Sequence, residues 1–236
     1  MTPAVRRAAL AAAVLIAGCT STGPDAERVL PADRSAEVVY VALGDSTVEG
    51  IGASGPATNY VSRLYQRLRA IYPRATMTNL GIGGATSADV IAGQLDRAVA
   101  RRPHLVTLSI GPNDITRLIP VEGYEQNLET IFRRLTRDTT AVVIANLLPD
   151  LAVTPRFRRG PHREAVGRQT ILFNEALGRK GREYRIALVD LYGQSQEEVP
   201  ARPQLLALDG YHPSDDGYAR WAELMWKGVE ERIAVR

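Results

Sequence analysis

Val38-Val39-Tyr40-Val41-Ala42-Leu43-Gly44-Asp45-Ser46 is a six-residue apolar run, rich in β-formers, that stops on a glycine and two polar residues. It reads as a strand that delivers a serine to its carboxyl end. Downstream, short β-rich runs keep alternating with longer helical patterns. Strands are expected at 38–43, 75–80, 104–110, 141–147 and 186–191, and helices near 58–72, 87–101, 121–137, 165–183 and 214–233. That alternation predicts an α/β fold, a five-stranded parallel sheet whose right-handed crossovers put helices on both faces. In open sheets of this kind, ligands bind outside the carboxyl ends of the strands. Four signals fall there: Ser46 after the first strand, Gly81-Ile82-Gly83-Gly84 after the second, Gly111-Pro112-Asn113-Asp114 after the third, and Asp209-Gly210-Tyr211-His212-Pro213 after the fifth.

These residues are the raw material of nucleophilic acyl transfer. A serine hydroxyl needs a general base, and the base needs a group that fixes its tautomer. Among the three histidines, only His212 has a carboxylate, Asp209, three residues before it and a rigid proline after it. In a tight turn that spacing lets Asp209 accept from Nδ1–H and leaves Nε2 for the serine proton. Gly84 can bring a backbone N–H close, and Asn113 can add a side-chain N–H for an oxyanion, beside the Ser46 amide. Each block also has a plain structural reading. Ser46 suits a helix N-cap, 209–213 a surface turn before a helix, 81–84 a glycine-rich turn, and Asn113-Asp114 a type I turn. His104 opens an apolar strand and reads as structural.

Together the four blocks resemble the SGNH or GDSL-type hydrolases, which include lipases, esterases and lysophospholipases. The likeness runs over roughly residues 38–230 and takes in Gly50, Asn79 and Tyr218; Thr47 stands where the family name has leucine. The resemblance implies a three-layer α/β/α fold of flavodoxin-like strand order 2-1-3-4-5. It further implies Ser46 as nucleophile, His212 as base, Asp209 as its partner, and Ser46, Gly84 and Asn113 as the oxyanion hole. Other chemistries lack their residues. There is no Gly-x-Ser-x-Gly elbow, no phosphate-binding Gly-x-x-x-x-Gly-Lys-[Ser/Thr] and no His-Glu-x-x-His, and Thr86 occupies the third-glycine position of a dinucleotide fingerprint. No cofactor or metal is called for.

At 236 residues and 45% apolar composition, the chain can bury one sizeable core. Its net charge of +3 includes Arg6 and Arg7, and without them the balance is 27 basic against 26 acidic side chains, too even to suggest nucleic acid. The N-terminus reads as a processing signal, with basic Arg6-Arg7, an apolar stretch from Ala8 to Ala17, and Ile16-Ala17-Gly18-Cys19, which resembles the lipobox of bacterial lipoproteins. The apolar stretch is too short to span a bilayer. The expectation is a signal over 1–18, lipidation of Cys19, a tether over 19–36 reaching up to about 55 Å, and a hydrolase domain over 37–236. This places the protein in the cell envelope on a lipid anchor, with a small-molecule or lipid ester as substrate. A glycan acyltransferase and a non-catalytic binding module of the same fold are the alternatives. The loop Pro149–Gly167, with Arg156, Arg158, Arg159 and Arg163, is either a headgroup site or a solvated loop. Trp221 and Trp226, both in the last helix, do not line an evident long acyl groove, which favours short acyl chains.

Overall fold

The strands are parallel for a reason visible in their side chains, which are apolar toward both faces. In the computed structural model, which describes residues 27–234, β1 (Val39–Gly44), β2 (Thr76–Asn79), β3 (Leu105–Ser109), β4 (Val142–Asn146) and β5 (Ala187–Val189) pair in the order 2-1-3-4-5. One row of the register crosses the whole sheet: Asn79, Ala42, Thr107, Ile144 and Ala187. Side chains alternate along each strand. Val41, Leu43, Val106, Leu108, Val143 and Ala145 build one core, and Tyr40, Ala42, Leu105, Val142 and Ile144 the other.

Each core is closed by helices with an apolar stripe. The first is covered by α3 (Ser87–Val90), which runs through a π-helical turn at Ile91–Leu95 into α4 (Asp96–Ala100), by α6 (Val121–Arg137) and by α7 (Arg163–Glu183). The second is covered by α2 (Tyr60–Ile71) and α9 (Asp215–Glu230). All five expected strands and all five expected helices are present, within a few residues of their expected ends. Among the described residues three further α-helices carry too little apolar periodicity to be seen in the sequence: α1 (Ser46–Glu49), α5 (Pro112–Thr116) and α8 (Tyr192–Ala201), the last with Pro200 inside it. The type I turn expected at Asn113-Asp114 is instead a turn of helix, opened by Pro112 at its first position.

Packing against the sheet begins before Glu37. Leu30 is buried in the second core and its amide bonds Arg232 O at 2.7 Å, while Arg28 donates to the carbonyls of Thr139 and Ala141 at 2.9 and 3.1 Å. Residues 28–36, expected as the last part of a tether, are therefore held against the sheet's amino-terminal edge. The signal expected over 1–18 and the lipidation expected at Cys19 lie outside the described residues. Among those described, no helix is long and apolar enough to cross a membrane.

Candidate active site

At the end of β1 the backbone leaves the sheet through a conformation only glycine adopts. Gly44 has φ +147°, and a Cβ there would lie 2.0 Å from Ser109 O. Its amide and carbonyl are both held by the side chain of Gln94, each at 2.8 Å, and Gln94 is carried on the π-helical turn. Asp45 then caps α1. Its Oδ1 accepts from the Thr47 amide and hydroxyl, both at 2.9 Å. With Asp45 as the cap, Ser46 becomes the first helical residue and its hydroxyl is free, so of the two readings of this serine the capping one passes to its neighbour. Thr47, the departure from leucine, uses its hydroxyl to join Asp45 to Ser109 Oγ at 3.2 Å.

The turn bearing His212 is fastened from both sides. Leu206 bridges Pro213, Ala207 N bonds His212 O at 2.8 Å, and Asp209 Oδ1 accepts the amides of Tyr211 and His212 at 2.9 Å. Tyr218 of α9 donates to Ile51 O at 2.7 Å, tying that turn's following helix to the segment after α1. Arg156 lies over the Tyr211 ring, and Phe157 meets the same ring edge-on. The Arg-rich loop thus packs on the turn, at least through these two residues. The result is a relay: Ser46 Oγ is 2.8 Å from His212 Nε2, and His212 Nδ1 is 2.6 Å from Asp209 Oδ2. Nδ1–H faces a carboxylate, so Nε2 is the acceptor for the serine proton. Burial raises the Asp209 pKa, but hydrogen bonds from the His212 ring and the two amides outweigh it and hold the carboxylate below its ordinary range.

On the other side of Ser46 lie the loops after β2 and β3. Asn79 donates to Val48 O at 2.6 Å and accepts from Gly81 N at 2.9 Å, which docks the glycine run on α1. Gly84 has φ +78°, and its carbonyl accepts from Arg117 at 2.8 Å. Asn113 Nδ2 donates to Ala85 O at 3.0 Å, which leaves its second N–H uncommitted by that bond. The Ser46 amide, at the first turn of α1, has no carbonyl one turn back to bond. Sequence reasoning missed what fixes this side. Asp114 is buried and takes both the amide and the hydroxyl of Ser87, at 3.0 and 2.5 Å, so that α5 and α3 hold one another. Burial raises its pKa, and the Ser87 bonds oppose that. Nothing in the local sequence sets Asp114, within Pro112-Asn113-Asp114-Ile115-Thr116, or Gln94 apart from an exposed polar residue.

Asp45, like Asp114 and Asp150, is a buried carboxylate. Its Oδ2 has no hydrogen-bond partner, and burial, opposed by the Thr47 bonds, pushes its pKa up to about 6. His104 is structural, accepting the Val39 amide at 3.1 Å. Among the described residues, no group of three or more His, Cys, Asp and Glu side chains is placed to hold a metal ion.

A 2-1-3-4-5 parallel sheet with a Ser-His-Asp constellation at its carboxyl edge is the architecture of a hydrolase class, and the chain belongs to it: the GDSL-like Lipase/Acylhydrolase family model matches residues 42–220. The chain is 27% identical over 185 residues to an acetylxylan esterase of Geobacillus stearothermophilus, covering 74% of this chain and 83% of that one. It is 25% identical over 214 residues to the esterase TesA of Pseudomonas aeruginosa, covering 91% and 96%. A crystal structure of TesA shares the fold, with a TM-score of 0.67 at 24% identity over 83% of this chain and 99% of the other.

Proposed function

We propose that this protein is a serine esterase that cleaves carboxylic esters through an acyl-enzyme on Ser46. The observation that carries the reading is the relay of 2.8 and 2.6 Å from Ser46 through His212 to Asp209. His212 Nε2 takes the Ser46 proton as Oγ attacks the ester carbonyl. Asp209, held ionised, stabilises the imidazolium that forms. The oxyanion rests on the amides of Ser46 and Gly84 and on Asn113 Nδ2, each such donor worth roughly 3–4 kcal/mol in the transition state. His212 then protonates the leaving alcohol, and a water deprotonated by the same Nε2 releases the acid. Two relatives named as esterases support hydrolysis over transfer. Anchoring through Cys19 rests on the sequence Ile16-Ala17-Gly18-Cys19; a Cys19→Ala chain is expected to leave the membrane fraction, and its retention there contradicts the anchor. For the activity itself, the test is p-nitrophenyl butyrate hydrolysis by the purified chain. Ser46→Ala is expected to lose about 10⁴-fold or more in kcat, with its circular dichroism unchanged; undiminished turnover contradicts the reading.

A further inference from the structure

Beside Ser46 and His212 lies a cavity of about 110 Å³, on the side of the nucleophile toward β4, β5, α8 and α9. Gly84 and Asn113 are not in its wall, so it is distinct from the place proposed for the oxyanion. The wall is largely apolar, with Leu151, Leu191, Val199, Leu205, Trp221 and Leu224 among its residues.

Its one arginine is already engaged. Arg220 is taken up by Glu198 at 2.7 Å, Glu223 at 3.2 Å and the Gln194 side chain at 3.1 Å. Asp150 accepts from Ala152 N at 2.9 Å and Gln196 Nε2 at 3.1 Å, and Ser195 Oγ donates to Tyr192 O at 2.8 Å. The wall residues with a buried polar atom lacking a protein partner are Asp45, Tyr211 and Trp221. A polar atom on a ligand can be met there, but an anionic end finds no free cation and three carboxylates, Asp45, Asp150 and Glu198.

Resting on the esterase reading, we propose that this cavity receives the acyl half of the ester, and that it selects an uncharged chain of about four to six carbons. The acyl group stays covalently on Ser46 through both halves of the reaction while the alcohol departs, so a walled apolar site at the nucleophile suits the half that remains. The size follows by comparison: an apolar cavity of about 150 Å³ accommodates benzene, six carbons, and about 110 Å³ holds somewhat less.

The test is kcat/KM for p-nitrophenyl acetate, butyrate, hexanoate and decanoate, with Ser46→Ala beside the unaltered chain. A maximum at butyrate or hexanoate is expected, about tenfold above acetate from two more buried methylenes, with a tenfold or greater fall by decanoate. Val199→Phe, on half-buried α8, fills the cavity and is expected to lower the butyrate-to-acetate ratio about tenfold. Leu224→Ala opens it and is expected to move the maximum to longer chains. Serine-dependent hydrolysis that is flat from acetate to decanoate, or a ratio that Val199→Phe leaves unchanged, overturns the acyl pocket while leaving the esterase in place. Absence of any Ser46-dependent hydrolysis overturns the esterase reading and the pocket with it.

Discussion

The two sides of Ser46 are built from opposite materials. Toward β2 and β3 the loops are held by polar contacts: Gln94 on Gly44, Asn79 on Val48, Arg117 on Gly84, Asn113 on Ala85, Asp114 on Ser87. Toward β4 and β5 the exposed wall surface is mostly apolar, with five leucines, Val199 and Trp221 around an open volume. Hydrogen bonds fix direction, which a site for developing charge requires; apolar contact is tolerant of direction and reads only size. Substitutions on the first side are therefore expected to change rate for every ester alike, and those on the second to change which ester is preferred.

The relay joins both sides, and breaking it has the largest expected effect. Asp209→Asn keeps the shape but offers the wrong group to Nδ1–H, and kcat is expected to fall about 10³- to 10⁴-fold for every acyl length, read by steady-state kinetics. Next comes the polar side itself. Asn113→Ala is expected to lower kcat/KM by about 10²- to 10³-fold, with the chain-length profile keeping its shape; a changed profile breaks the division between the sides. Gly44→Ala strains the same side from below, because its Cβ meets Ser109 O, and a loss of about 3 kcal/mol or more in urea unfolding is expected.

The smallest effect concerns Asp45, beneath both sides. Its folded pKa is raised from 3.8 to about 6, so across that window the folded state keeps a proton the unfolded chain has released. Stability therefore falls as pH rises from about 4 to 6, by about 2–3 kcal/mol in all. Asp45→Asn retains the cap, removes the ionisation and is expected to abolish that slope in thermal unfolding at pH 4.5 and 7.5. An unchanged slope contradicts the assignment.

Much of this was readable beforehand because it is carried by local pattern. Apolar runs gave the five strands, and Ser46, His212 and Asp209 were identifiable because a spacing of three residues in a turn already constrains two of them. The strand order came only with the family resemblance, since no local signal encodes which strands are neighbours. α1, α5 and α8 were missed because helices of one to three turns bearing polar or proline residues show no stripe. Gln94 and Asp114 were missed for a different reason. Their role depends on tertiary partners 50 and 27 residues away, and a buried amide or carboxylate looks in the sequence like any exposed one. Trp221, read beforehand only as not lining an evident long acyl groove, lines the cavity beside Ser46, a placement that its position in the last helix did not show.

The relay and the cavity both presuppose Ser46 as the activated nucleophile. Intact-protein and peptide mass spectrometry after exposure to diisopropyl fluorophosphate reads this without any choice of ester. A single phosphoryl adduct is expected on the peptide containing Ser46, formed by the unaltered chain, and lost in both Ser46→Ala and His212→Ala. An adduct on another residue, or none on the folded chain, would contradict it.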